Sequence, residues 1–444
     1  MDTRKSGKKF LDGLFGVSVI LMSARMGGVA ANFVFNLILA RFLSPADFGN
    51  VAVVISTTML ASILTTLNIE SGSIQHLVHA RETGDLRKAA GFIIFSRRLL
   101  MLSTPIIIFG YVLAASLLSP DAFNKNQWIY LIGAFAIPTM GWLRIFGRHA
   151  NVLSHQIAGS LPHLFFRPTL LLIFIAASIL LSGALVTDFV VFAYVVSAII
   201  AAMIQFYLLY PHFRFVRENI YDFGNKAQWL KTGLLLSPTL ITQEFFQDGI
   251  VALAAFSLPS SEIAKLTITL RLIGFVNFGL AAVNMAIGPK LAASMARDDR
   301  ATRDHLLNMS THLKLWPGLL ITGIIIIFGE YILLLFGAVY AKAAPALNWL
   351  IVIPLLMAVL GPNEILLNTS GLQKYIFRSA LVTIAVSLLL VPLGGAYYGL
   401  LGVVWGAVLS FAVWEVLIYI SVRQRLGLDA SLLGTLYRLK KGRE

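Results

Sequence analysis

Apolar residues run through this chain in long blocks divided by short polar connections, without the period-two alternation of a half-buried strand. A helix that crosses a bilayer needs ~20 mostly apolar residues. Measured with that ruler, the sequence predicts twelve crossings, with cores at 14–40, 47–69, 99–118, 128–146, 160–182, 187–210, 230–257, 263–288, 315–337, 344–368, 375–394 and 397–421. The third, fourth and seventh are the weakest. Arg97 and Arg98 abut the third, Arg144 ends the fourth, and Pro238, Glu244 and Asp248 interrupt the seventh. The expected fold class is therefore all-α integral membrane.

Composition agrees with the pattern. Hydrophobic residues make up 58% of the 444 positions and charged residues 13%, whereas soluble chains are about half apolar and about one quarter charged. The start, MDTRKSGKKFLDGLFGVSVILM, has the basic-then-apolar order of a signal peptide, yet its apolar stretch continues to Ala40 without a small-residue cleavage site. It is read as the first crossing. Cysteine is absent, which excludes disulfides, thiolate metal sites and cysteine nucleophiles.

The formal net charge of +14 has a topological explanation, because short cytoplasmic loops retain Lys and Arg. With the N-terminus cytoplasmic, most of the 35 basic residues fall on the inner side, and only Arg41, Lys125, Lys265 and Lys342 fall outside. The charge bias supports twelve crossings with both termini in the cytoplasm. No polar basic module exists to bind nucleic acid.

The polar, basic stretch 211–231 (PHFRFVRENIYDFGNKAQWLK) divides the chain into an N-terminal lobe, 1–210, and a C-terminal lobe, 232–444, which ends in a basic tail. The halves are distantly alike. RFLSPADFG (41–49) matches AFSLPSSEIA (255–264), each a Phe-x-x-Pro turn followed by an acid; FGYVLAASLL and WIYLIGAFAIP match FGEYILLLFG and NWLIVIP in the same order. Two pseudo-symmetric six-helix lobes related by an axis along the membrane normal, with a central cavity, are a recurrent transporter plan.

On LILARFLSPADFGNVAVV (37–54), the stretch 250–299, FGEYILLLFGAVYAKAAPALNWLI (328–351) and LNTSGLQKYIFRSAL (367–381), the chain resembles the polysaccharide-export flippases of the multidrug/oligosaccharidyl-lipid/polysaccharide superfamily. The likeness covers nearly the whole chain. Ala264, Lys265 and Leu266 depart from the Gly-x-Tyr that many relatives carry after the second Phe-x-x-Pro turn, which leaves the subfamily and its glycan open. The resemblance implies translocation of undecaprenyl-diphosphate-linked oligosaccharide across a bacterial inner membrane, for O-antigen or exopolysaccharide synthesis. It further implies a polysaccharide polymerase and export machinery as partners; transport driven by the membrane potential, with or without a coupled H⁺ or Na⁺, and no cofactor, are the expectations from the residues.

Charges within the hydrocarbon cost ~2.5 to 3.5 kcal/mol each and face a cavity or a partner. Arg25 in the first predicted helix and Arg271 in the eighth are the two basic residues that the twelve-segment map places well inside. By resemblance they bind the diphosphate, for which bidentate arginine suits the chemistry; the alternative is an ion pair to Glu70, Glu244 or Asp248. Gln243, Glu244, Gln247 and Asp248 form a polar stripe on the seventh helix. Gln243 and Gln247 are candidates for sugar hydroxyls and Glu244 and Asp248 for a coupling ion, with interhelical bonding as the alternative. Asn32 and Asn36 share a face with Arg25, and Asn277 and Asn284 accompany Arg271, as candidate substrate contacts or as interhelical bonds. Glu330, Glu364 and Glu415 are expected to pair within their lobe.

Pro105, Pro138, Pro238, Pro354, Pro362 and the Gly27–Gly28 pair mark candidate bends. The histidines show no metal spacing, and no GxxxxGK[ST] phosphate loop is present. Two other readings remain open. A drug or cation antiporter of the same superfamily would favour an acidic cavity, against Arg25 and Arg271. A membrane polymerase or glycosyltransferase would need a larger extramembranous loop than any of the external connections, each about ten residues. The expectation is a transporter, not an enzyme.

Overall fold

The computed structural model describes the backbone of residues 3–118, 120–218 and 221–441. All its regular elements are helical. Eight of the described helices are long and apolar enough to cross a membrane, or up to ten if each of two bent helix pairs is one crossing. The protein is thus a multi-pass membrane protein. Two compact units divide at Ser237–Pro238.

In the first unit, α1 (Thr3–Phe42) and α2 (Pro45–Thr66) are joined by the first Phe-x-x-Pro turn. The Ser44 hydroxyl oxygen accepts from the Asp47 amide at 3.1 Å and Pro45 stands at the first helical position, so the turn both caps α2 and presets its first φ. Next come α3 (Leu86–Leu118), α4 (Ala136–Val152), α5 (Arg167–Ser182) and α6 (Thr187–Leu209). α3 begins well before the apolar core at 99, since its first turns run past the membrane-length window and carry Arg87, Lys88, Arg97 and Arg98. The predicted linker is not a free connection. Phe213, Phe215, Phe223 and Trp229 pack onto a core of Phe92, Ile93, Ile145 and Leu209, and this aromatic burial carries the first unit six residues past 231.

Gly27 and Gly28 do not break α1, which runs unbroken to Phe42. They were expected as a bend; instead, a Cβ on Gly27 would stand 3.0 Å from the Phe165 ring, and Gly28 faces the Leu164 carbonyl too closely for any side chain. The missing Cβ atoms let α1 lie against the π turn Pro162–Phe166.

The second unit holds the end of α7 (Lys226–Glu244), a π turn at Phe245–Gly249, a short helix Ile250–Ala254, α8 (Ser260–Ala296) and α9 (Arg300–Leu334). Asp299 caps α9, and its bonds from the Thr302 hydroxyl and amide hold the exposed carboxyl below its ordinary range. The predicted crossing 344–368 is a bent pair: Ala344–Leu360 and α10 (Asn363–Thr369) meet at 51° across Gly361–Pro362. Pro362 is a bend, as expected.

α11 (Gln373–Leu426) spans 54 residues, yet Gly399 at φ 59, ψ −141 interrupts it. In a straight helix, Leu390 and Gly406 would lie ~24 Å apart. Here a Cβ on Gly406 would stand 2.7 Å from the Leu390 carbonyl oxygen, and Gly402 is packed as tightly on Gly394. α11 is therefore an antiparallel hairpin whose two arms are the predicted segments 375–394 and 397–421. The last element, α12 (Leu432–Lys441), is a helix where the sequence suggests only a basic tail.

Candidate functional site

Arg271 lies on α8, half-buried, and its guanidinium is held by the π turn at the end of α7. Nη2 donates to Asp248 Oδ1 at 2.9 Å and Nη1 to Gln247 Oε1 at 2.7 Å. Asp248 is 6% exposed, so its charge is compensated by an ion pair rather than by water. The π turn allows the grouping: widening the helix at Phe245–Gly249 turns two consecutive side chains toward one arginine fork. Gly274, one turn from Arg271, completes it, because a Cβ there would stand 2.5 Å from Gln247 Nε2.

The ion-pair alternative for Arg271 is thus realised, with Asp248 as partner. An arginine carries five N–H donors, and these two bonds leave donors on the guanidinium for a further oxygen ligand. The side chains of Gln243 and Glu244 lie outside the described residues.

Arg271 is turned about 120° from Asn277 at 100° per residue, and Asn284 lies beyond a 42° bend in α8 between Asn277 and Ala282. The single stripe expected there is not formed: Arg271 turns toward the π turn, Asn277 to another side, and Asn284 lies past the bend. The Oδ1 atoms of Asn277 and Asn284 are buried and meet no hydrogen-bond donor among the described residues. Buried acceptors are nearly always satisfied, so these two are suited to an incoming hydroxyl or amide.

In the first unit, Arg25, Asn32 and Asn36 fall within about 40° of one another around α1. Arg25 and Asn32 are half-buried, and Asn36 is buried and donates to the Asn32 carbonyl at 2.7 Å. The Asn36 amide is thereby bonded to its own helix. Glu70, weighed above as a partner for Arg25, is buried and stands 3.8 Å from Arg144 Nε of α4.

Arg25 and Arg271 are not the only basic residues inside apolar helices. Arg144, Arg167 and Lys314 lie within segments that pass the crossing test, and Lys314 is 2% exposed. Arg144 and Lys314 stand at the edge of a predicted core, where an apolar window hides them, whereas Arg167 lies seven residues inside the segment 160–182 and is counted with the inner-side basic residues. Arg167 donates to Met140 Sδ at 3.4 Å and faces the Tyr194 ring at 5.9 Å. Lys314 interacts electrostatically with Glu415 and Glu364 of the same unit. Glu330 is exposed. Among the described residues, no group of three or more His, Asp or Glu is placed to hold a metal ion.

Known proteins share this architecture. A multidrug-resistance MATE transporter of the MOP superfamily, in its inward-facing conformation, superposes with a TM-score of 0.74 at 13% identity, covering 92% of this chain and 98% of that one. The lipid II flippase MurJ, inward closed, gives 0.70 at 11% identity over 92% and 87%. A MOP superfamily transporter from Pyrococcus furiosus, described by the reverse polarity of its binding pocket, gives 0.62 at 14% identity over 93% and 95%. These likenesses establish the MOP-type transporter fold. No curated protein matches in sequence. Residues 16–289 match the model of the family described as "Polysaccharide biosynthesis protein", and the chain belongs to that family.

Proposed function

We propose that the protein is a flippase that moves undecaprenyl-diphosphate-linked oligosaccharide across the inner membrane of a bacterium by alternating access, with both termini cytoplasmic. The observation that carries the reading is a half-buried arginine in an apolar helix of each unit, Arg25 on α1 and Arg271 on α8, in a polysaccharide-biosynthesis family member. Fixed guanidinium groups in a low-dielectric setting suit a diphosphate, which accepts bidentate charge-assisted bonds. Arg271 is pre-aimed by Asp248 and Gln247, so little side-chain entropy is lost on binding. The unsatisfied acceptors of Asn277 and Asn284 suit sugar hydroxyls, with Asn32, Gln243 and Gln247 as further polar contacts.

Asp248 gives the cycle a coupling group, with Glu244 its companion candidate. A proton or Na⁺ on the Asp248 carboxylate would free the Arg271 fork for phosphate, and loss of that ion would return it. The membrane potential adds drive, because with a negative cytoplasm an anion gains ~2.3 kcal/mol per charge per 100 mV on leaving. Polymerase and export machinery are the partners this reading implies.

An antiporter of cationic drugs is the second reading, and the buried Asp248 is what favours it. Its charge is matched by Arg271, which counts against a net acidic site. Ligand-induced thermal stabilisation separates the two. A polyprenyl-diphosphate oligosaccharide should raise the melting temperature of the purified protein, while the matching phosphate-free polyprenyl glycoside should not. Equal stabilisation by both, or stabilisation by lipophilic cations alone, would remove the diphosphate reading.

A further inference from the structure

Beyond the last crossing, α12 folds back on the second unit and closes a pocket of about 640 Å³ against the ends of α9 and α11. We propose that this pocket binds the phosphate of an anionic phospholipid, with an acyl chain laid along the exposed face of α12.

Arg303, Arg423 and Arg438 line the pocket together with Asp304 and Asp429. Arg438 is structural: Nε donates to Asn308 Oδ1 at 2.9 Å and Nη2 to Thr435 Oγ1 at 3.1 Å, which pins α12 to α9. The Asp429 carboxylate is also committed, accepting from the Ser431 amide at 3.0 Å. Arg423 is different. It is exposed, and among the described residues its guanidinium donates one hydrogen bond, to the Tyr419 hydroxyl at 3.3 Å. Arg303 is ion-paired on both sides, Nε 3.7 Å from Asp304 Oδ1 and Nη1 3.9 Å from Asp298 Oδ1, and its buried Nε meets no hydrogen-bond acceptor among the described residues. The pocket therefore offers the exposed, under-used guanidinium of Arg423 to an oxyanion, with Arg303 behind it. Arg303 is matched by Asp298 and Asp304, whereas Arg423 makes no ion pair among the described residues, so its one positive charge is open to a phosphodiester.

The apolar side of the pocket decides for a lipid over a soluble phosphate. Thr435 is buried on the inner face of α12, as is Ser431 just before it, whereas Leu433, Leu436 and Tyr437 are 72%, 54% and 70% exposed. Their spacing of three and four puts them on one side of the helix. A short amphipathic helix directly after a crossing sits where headgroups meet acyl chains, and basic pockets at that level take anionic headgroups. A soluble phosphate would gain nothing from those three side chains.

Native mass spectrometry of the full-length protein in nonionic detergent tests the proposal, with dihexanoyl phosphatidylglycerol titrated against dihexanoyl phosphatidylcholine and glycerol phosphate. Phosphatidylglycerol should bind best. Arg423→Gln should weaken it about tenfold, the loss of one charge-assisted bond, and Leu433→Gln should weaken it while leaving glycerol phosphate unchanged. Arg423 and Leu433 are both exposed, so both variants should fold. Equal binding of phosphatidylcholine, wild-type phosphatidylglycerol affinity in Arg423→Gln, or glycerol phosphate competing as well as the lipid would each overturn it.

Discussion

Arg271 shows how a charge is kept inside an apolar helix. Its partner Asp248 is buried, so removing the arginine strands a carboxylate, whereas removing both charges does not. Arg271→Gln should lower stability by about 2 kcal/mol, less than for a fully buried pair because the arginine side chain is 30% exposed. The double variant Arg271→Gln/Asp248→Asn should recover most of that loss in thermal melts of the purified protein. A double variant no more stable than the single would show that the two residues do not act as a pair. The residue types of this site were legible in the sequence; their geometry was not. Gln247 and Asp248 read as part of an α-helical stripe, and only the π turn brings both to one guanidinium. Lys314 was illegible for another reason: it ends the polar approach to an apolar run, and the acids that interact with it electrostatically, Glu364 and Glu415, lie about 50 and 100 residues away in the chain.

Helices themselves were more legible than their ends or their packing. The segment predicted at 187–210 is α6, Thr187–Leu209, nearly residue for residue, because polar turns bound its apolar run on both sides. α3 and α9 extend far beyond their apolar cores, since helix formation does not stop at the membrane boundary while a hydropathy window does. The α11 hairpin was readable as two crossings, but the glycines that join its arms were not. Gly394, Gly402 and Gly406 look like ordinary small residues of a membrane helix, and their use appears only when backbone meets backbone. Gly406→Val should therefore part the arms and lower the melting temperature sharply. Gly110→Val, at a glycine with open space around its Cβ position, should cost far less in the same melt. Equal losses would mean that close packing in the hairpin contributes nothing special.

For the whole molecule, the apolar pattern and the resemblance pointed to an all-helical membrane protein of the polysaccharide family with a MOP-type fold, and both the family and the fold agree. Sidedness rests on the basic-residue bias, and the absence of cysteine makes it measurable. Thr83→Cys and Ala184→Cys introduce single thiols at exposed sites in connections that the bias assigns to opposite sides. A membrane-impermeant maleimide added to intact cells whose outer membrane has been made permeable should label position 184 and spare 83. The reverse pattern would invert the topology and, with it, the direction of transport.

Transport itself is the decisive measurement. In proteoliposomes carrying a fluorescent undecaprenyl-diphosphate oligosaccharide, the wild-type protein should move the lipid between leaflets, and Arg25→Ala and Arg271→Ala should each slow it at least about tenfold, the loss of one charge-assisted contact. A phosphate-free analogue should stay where it was placed. Wild-type rates in both variants, or equal movement of the phosphate-free lipid, would show that fixed arginine charge is not how this protein holds its cargo.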